Sequence, residues 1–334
     1  MFKRILVPLD GSPRAEQALP VAARLASASR GTVILLQVVN TPQEAVSYIT
    51  LQPMATRQFV NEEQAKAEHY LQHCVEQGSL VDIPNLLMVR NGLPATTILE
   101  VIDEQAVDLV VMASHGYTGM THWMLGSIAE NVSHAAPVPV LLLREEHPLP
   151  VESQLQREDS LRILVPLDGS AQVEEIIVPA SQLVMALADP VPGALHLLFV
   201  MQPLNIVSSI GRTGSIRQAK EYLRATVRRI REGSLSGPIA TGRLTLTWSV
   251  STNGADIADT IVDVAEHGQK ASGGDVFGKC NVIAMAPHSA NGLRRWVLGS
   301  VTERVLHRTK LPLLIMLPEQ VVASRQRSSA RISL

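Results

Sequence analysis

VMASHGYTGMTHWMLGSIAENV, residues 111–132, returns as AMAPHSANGLRRWVLGSVTERV at residues 284–305. A second echo lies near the start of each half, where RILVPLDGS at residues 4–12 recurs letter for letter at 162–170. Each half therefore opens and closes on matching segments, and the repeat has the period of a domain rather than of a solenoid. The offset between copies grows from 158 residues at the first echo to 173 at the second. The second half carries extra sequence before its final loop, including HGQKASGGDVFGK from His267. A chain of 334 residues has room for two domains of ordinary size, each with its own core.

Between the echoes, short apolar runs alternate with amphipathic stretches. In the first half these are RILVPL, a helix from about Pro13 to Ser29, TVILLQVV, and a helix from about Asn61 to Gln77. NLLMVR, a helix over Ala95 to Gln105, DLVVMAS, a helix from Ser127 and VPVLLLR follow. The second half repeats the pattern with RILVPL, GALHLLFV, LTLTWSV, CNVIAMA and LPLLIML. VILLQVV and DLVVMAS lack the alternation of a half-exposed strand, as expected of a parallel sheet covered on both faces. Alternating strands and helices with right-handed crossovers give an α/β fold, two doubly wound domains in tandem. The boundaries fall at 1–144 for domain 1, 145–160 for a charged, proline-containing linker, 161–318 for domain 2 and 319–334 for a polar tail.

Composition removes several functions. Aromatic residues make up only 3% of the chain and the net charge is −2, so neither base stacking nor a phosphate-binding surface recommends a nucleic-acid partner. Cys74 and Cys280 lie in different halves, which argues against a disulfide framework and suits a reducing cytoplasm. MFKRILVPLD runs directly into a strand pattern without a leader-like segment, and no uninterrupted run of about 18 apolar residues occurs, so a cytoplasmic protein without a membrane partner is expected. Charge is uneven between halves: residues 1–143 hold 8 Lys and Arg against 13 Asp and Glu, whereas residues 161–318 hold 16 against 12. Arg224, Arg228, Arg229 and Arg231 on one predicted helix supply much of the positive excess and form a modest candidate anion patch.

In an open α/β sheet, ligands sit outside the C-terminal ends of the strands, where strand order reverses. Three segments converge there: Pro8-Leu9-Asp10-Gly11-Ser12 after strand 1, Val38 at the end of strand 2, and the loop from Ala113 to Ser127 after strand 4. Asp10 can accept hydrogen bonds from a ribose, and the backbone near Val38 can read an adenine edge. Gly116 admits close backbone approach to an anion. Gly126-Ser127 opens a helix whose free N–H groups and dipole make a phosphate seat. The competing reading is structural, because Ser127-Ile-Ala-Glu130 and Ser300-Val-Thr-Glu303 both spell a capping box.

These residues resemble the universal stress protein family in its tandem two-domain, ATP-binding form, over almost the whole chain. The family signature G-x2-G-x9-G-[ST] reads A-SH-G-YTGMTHWML-G-S at residues 113–127, with Ala113 in place of the first glycine. The resemblance implies a five-stranded parallel sheet of order 3-2-1-4-5 in each domain, of adenine nucleotide alpha hydrolase-like type. It implies that Pro8, Leu9 and Asp10 line the nucleoside, with Asp10 on the ribose and Val38 beside adenine. Ala113, His115, Gly116, Gly126, Ser127 and the Ile128 amide would then surround the phosphates. Mg2+ would bind through ATP oxygens, since no carboxylate cage is evident. A bulky residue at Gly116 is expected to abolish most ATP binding. In the second copy the matching positions are Pro166, Asp168, Val200, Ala286, His288, Ser289, Gly299, Ser300, Val301 and Thr302. There Ser289 replaces the close-approach glycine, while Arg294 and Arg295 add positive charge. The last strands, VPVLLLR and LPLLIML, are the expected self-association contact, between the halves or between chains.

The expected activity is regulatory ATP binding in a stress response, without a catalytic residue. The alternatives are a scaffold of the same fold that binds no nucleotide, a slow ATPase, and an adenylate-transferring enzyme. The last would need an S-G-G-x-D loop where Pro8-Leu9-Asp10-Gly11-Ser12 stands. Gly273 to Cys280 nearly spells a phosphate loop, but it ends in cysteine, precedes a strand, and reads as a flexible insertion. His69 and His73 share a helical face without a third ligand, so zinc is not expected.

Overall fold

A computed structural model describes residues 1–40, 53–76, 78–115, 125–150, 160–201, 209–235, 244–252, 256–270, 276–287, 298–319 and 322. Two compact units emerge, Phe2–Glu145 and Glu146–Leu334, the latter joined by Met1. The first contains β1 (Arg4–Leu9), α1 (Pro13–Glu16), α2 (Ala18–Ser29), β2 (Thr32–Val39), α3 (Pro53–Glu76), β3 (Asn85–Asn91), α4 (Pro94–Glu104), β4 (Leu109–Ala113), α5 (Ser127–Ala135) and β5 (Val140–Leu143). Its strands pair in parallel in the order β3-β2-β1-β4-β5.

The second unit contains β6 (Arg162–Leu167), α6 (Ala171–Glu174), α7 (Ile177–Ala188), β7 (Gly193–Val200), α8 (Ser209–Arg231), β8 (Leu244–Ser251) and α9 (Ile257–His267). A two-stranded hairpin of β9 (Gln269–Lys270) and β10 (Val276–Phe277) follows, then β11 (Val282–Met285), α10 (Ser300–Arg308) and β12 (Leu313–Ile315). Its parallel order, β8-β7-β6-β11-β12, repeats that of the first unit. Both halves are thus 3-2-1-4-5 sheets, as the alternation of elements requires.

The unbroken apolar runs are buried on both faces. Ile5, Leu6, Ile34, Leu35, Leu36, Leu109 and Leu141 are inaccessible to solvent, giving an aliphatic core without large aromatic contributions. The N-terminal ends of the central strands are tied by one side chain per copy. Asp108 accepts from the Lys3 and Arg4 amides at 2.6 and 3.1 Å. Asn281 accepts from the Arg162 amide at 2.8 Å. The stretch Ala171–Ala188 is long and apolar enough to cross a membrane by length and composition, but 67% of it is buried inside the protein. It is a core segment.

Several sequence expectations are corrected. The helix expected over Pro13–Ser29 is two pieces, α1 and α2, broken at Gln17. The helix expected from Asn61 begins at Pro53. The insertion before β11, expected to be flexible, has regular structure at its two described ends, which pair as the β9–β10 hairpin, and the Phe277 ring stacks on His196 at a centroid distance of 3.8 Å. The arginine patch on α8 is partly paired, with Arg229 Nη1 2.8 Å from Glu174 Oε2. Arg224 lies over the Trp248 ring at 5.5 Å and Arg228 approaches Glu232 at 4.0 Å.

His196 has no counterpart in the first unit. It is fully buried on β7, with Nδ1 2.8 Å from the Thr247 hydroxyl and Nε2 2.7 Å from the Ser249 hydroxyl. Ser249 in turn donates to the Gln269 side-chain oxygen at 3.2 Å. At the same register the first unit carries Ile34 beside Leu86 and Leu36 beside Met88.

Candidate functional site

Gly11 and Gly169 take φ of 83° and 90°, turning the chain sharply off the ends of β1 and β6. Such a backbone conformation is open to glycine and strained for other residues. The turn leaves Asp10 and Asp168 exposed at the strand ends. Asp10 Oδ1 accepts from both the Ser12 amide, at 3.0 Å, and the Ser12 hydroxyl, at 2.6 Å. Asp168 Oδ1 does the same with Ser170, at 2.9 and 2.7 Å. Ser12 and Ser170 then cap α1 and α6, accepting from the Ala15 and Val173 amides at 3.2 and 3.3 Å. Each aspartate is thereby fixed by the residue that starts the next helix. Replacing Ser12 or Ser170 by alanine removes a cap as well as this brace, and thermal unfolding is expected to register a loss of about 1 kcal/mol for each.

Register brings the other expected residues to the same edge. Pro8 and Leu9 lie opposite Leu36 and Gln37, so Val38 continues β2 beside the Asp10 turn. On the other side of β1, β4 ends at Ala113. The Gly126 amide donates to the Ser114 carbonyl at 2.9 Å, which docks the start of α5 on the end of β4. Asp10, Val38, Ala113, His115, Gly126, Ser127 and Ile128 therefore belong to one rim, while Gly116 lies outside the described residues.

The capping-box reading of Ser127 and Ser300 fails. The N-cap of α5 is Gly126, and that of α10 is Gly299; neither helix receives a side-chain cap. Ser127 occupies the first helical position and is exposed. The first intrahelical bond joins the Glu130 amide to the Gly126 carbonyl, at 2.9 Å. The amides of Ser127, Ile128 and Ala129 are thus left without an intrahelical acceptor at the positive end of the dipole.

The second copy brings Pro166, Asp168, Val200, Ala286, Gly299, Ser300, Val301 and Thr302 to the equivalent rim, with His288, Ser289, Arg294 and Arg295 outside the described residues. Two differences separate the copies. Gly299 has φ 46° where Gly126 has −63°, so the same Gly-Ser sequence enters its helix by different backbone paths. Pro166 is buried where Pro8 is half-buried.

His115 lies beside the start of α5. Its Nδ1 is 3.1 Å from the Ser114 hydroxyl, and its Nε2 is buried without a hydrogen-bond partner among the described residues. Burial pushes its pKa down, and the positive charges of Arg144 and Arg14 push it further, against a smaller opposing effect of Glu145. The ring is therefore neutral at physiological pH. Arg14, Arg144 and Glu145 escaped the sequence reading, because none belongs to a motif. A position-by-position comparison of the copies would have found them, since Gln172, Leu317 and Pro318 stand in their places.

Among the described residues no group of three or more His, Cys, Asp or Glu could hold a metal ion. His69 and His73 are exposed on α3 without a third ligand, and Cys74 and Cys280 are buried free thiols.

Two aspartates followed by positive-φ glycines, and two helix starts that no side chain caps, lie at the strand ends of a duplicated α/β protein. The chain belongs to the universal stress protein family, whose model matches residues 1–144 and 160–316. Similar curated proteins match about half of it. Universal stress protein YxiE of Bacillus subtilis is 30% identical over 148 residues, covering 43% of this chain and 100% of its own. MJ0577 of Methanocaldococcus jannaschii is 27% identical over 160 residues, covering 44% and 98%. Across the whole length the fold is shared with a universal stress protein of Archaeoglobus fulgidus, at TM-score 0.59 and 18% identity over 94% of this chain and 96% of that one. A functionally unknown Pseudomonas aeruginosa protein aligns at TM-score 0.57 and 15% identity over 99% and 98%.

Proposed function

We propose that the first domain is a regulatory ATP-binding module, in which bound nucleotide stabilises one conformation and so controls contacts with a partner. The observation that carries this reading is the start of α5. Ser127 does not cap its own helix, three successive amides have no intrahelical acceptor, and His115, next to the Ser114 carbonyl that binds the Gly126 amide, has a buried Nε2 with no partner among the described residues. A phosphate chain would meet all three needs. Asp10, exposed at the end of β1, would receive the ribose hydroxyls, and the β2 backbone at Val38 would border the adenine. Mg2+, if carried in, would be held by nucleotide oxygens, because the described residues of the rim offer no carboxylate cage.

Catalysis is not part of the proposal. The His115 ring is neutral, partly buried and held by Ser114, and Asp10 is engaged by Ser12. Neither is set up as a base for an attacking water. The second domain keeps Asp168 and Ser300 but builds its helix start differently at Gly299, so it is expected to contribute little to binding.

Mass spectrometry of small molecules released from the purified full chain, with occupancy per chain, tests the reading. About one adenine nucleotide per chain is the expected result. No released nucleotide, together with no calorimetric binding of ATP at millimolar concentration, would favour the scaffold of the same fold.

A further inference from the structure

The rim of the first domain continues past the phosphate helix. The Ser114 amide donates to the Leu143 carbonyl at 3.0 Å, so Arg144, the next residue, stands at the end of β5 beside Ser114 and His115. Arg14 on α1 reaches the same place from the other side, its Nε 3.0 Å from Glu145 Oε2. Two guanidiniums, one carboxylate and one imidazole thus gather at the outer end of the rim. Both Arg14 and Arg144 act on the His115 ring electrostatically. At the equivalent positions the second domain carries Gln172, Leu317 and Pro318.

Strand order makes this cluster the end of a line. The rim runs β2, β1, β4, β5, with neighbouring strands about 4.8 Å apart. A nucleotide with its base at Val38 and its ribose at Asp10 places its first phosphate over the end of β4 and the start of α5. Further phosphates then advance one strand, toward β5. In the tautomer in which the Ser114 hydroxyl donates to Nδ1, the buried Nε2 of His115 offers a proton to a phosphate oxygen, and Arg144 and Arg14 add planar, charge-assisted donors to the same cluster.

We propose that Arg14 and Arg144, together with His115, form the terminal-phosphate end of the first site, so that this domain selects a nucleoside triphosphate over the monophosphate. The inference rests on the nucleotide reading above. Glu145 opposes it, since its carboxylate holds Arg14 and repels phosphate; triphosphate binding must displace or tolerate that ion pair.

Calorimetry of ATP, ADP and AMP on the full chain tests the proposal. The variants are Arg144→Leu and Arg14→Gln, which install residues that the second domain already accommodates, the charge-keeping Arg144→Lys, and Glu145→Gln. Loss of one charge-assisted contact is expected to weaken ATP roughly ten- to hundredfold, with AMP changed less than about twofold. Arg144→Lys should retain part of the affinity, because Lys keeps the charge but not the fork, and Glu145→Gln should strengthen ATP. AMP binding serves as the folding control within each titration. ATP and AMP falling in parallel, or ATP unaffected by Arg144→Leu and Arg14→Gln, would show that the arginines only brace the fold. Wild-type protein that binds AMP as tightly as ATP overturns the inference while leaving the nucleotide site standing; binding of none of the three removes both.

Discussion

Ser127→Glu is expected to raise the thermal midpoint slightly while cutting ATP affinity by roughly a thousandfold. The two effects have opposite signs because they act through the same helix end. Ser127 is the first residue of α5 and is exposed. A carboxylate there meets the positive end of the dipole and contributes about 0.3–1 kcal/mol to stability. The same carboxylate faces the proposed phosphate seat, where like charges about 4 Å apart in partly screened surroundings cost about 4 kcal/mol. Ser127→Ala separates the roles further. A capping serine would lose about 1 kcal/mol on truncation, whereas a serine at the first helical position should leave the melting curve unchanged and weaken ATP about tenfold through loss of one hydroxyl contact. Paired calorimetry and thermal denaturation read both. Undiminished ATP binding by Ser127→Glu would remove the phosphates from this helix.

Acidification should unfold the second domain before the first, because of His196. Burial pushes its pKa down to about 3, against about 6.5 in an unfolded chain. The folded form holds the ring neutral between Thr247 and Ser249. Below pH 6.5 the unfolded chain binds a proton that the folded chain refuses. The stabilising contribution is therefore complete above pH 6.5 and is lost as pH falls toward 3, amounting to roughly 5 kcal/mol over that window. This is a large share of a domain's total stability. The first domain has Ile34 at the matching position, and its own downward-shifted histidine, His115, is only partly buried. Hydrogen exchange followed by peptide across β2–β3 and β7–β8 should show the second sheet opening at higher pH. Transplanting the residues of the first copy, as His196→Ile with Thr247→Leu and Ser249→Met, should move that acid midpoint down. Coincident opening of the two sheets, or an unchanged midpoint in the triple variant, would assign the acid sensitivity elsewhere.

The fold was readable because its signals are local and repeated. TVILLQVV and LVVMA are apolar throughout since helices cover both faces, and an identical RILVPLDGS opens each domain. Asp10 and Asp168 were placed at the strand ends for the same reason, since each closes the strand of the repeated RILVPLDGS. Ser127 was half legible. Its place at a helix start follows from Gly126-Ser127 and the apolar pattern beyond, but the capping box does not survive. The Gly126 amide is bound by the Ser114 carbonyl, and that contact starts the helix one residue earlier than the S-x-x-E spacing suggests. A local pattern cannot register a bond to the end of another strand.

The amino-acid sequence alone determined the two-domain division, the parallel α/β class and the rim on which Asp10, Ala113 and Ser127 meet. These depend on periodicity and on glycine positions, which act within a few residues. Only the tertiary structure decided that Ser127 leaves its helix uncapped, that Arg14 and Arg144 join His115 at the end of β5, and that His196 lies sealed beneath Phe277. In each case the partners are brought together by strand order and helix docking. Burial and charge are properties of that assembled neighbourhood, and nothing in the spacing of the residues along the chain encodes them.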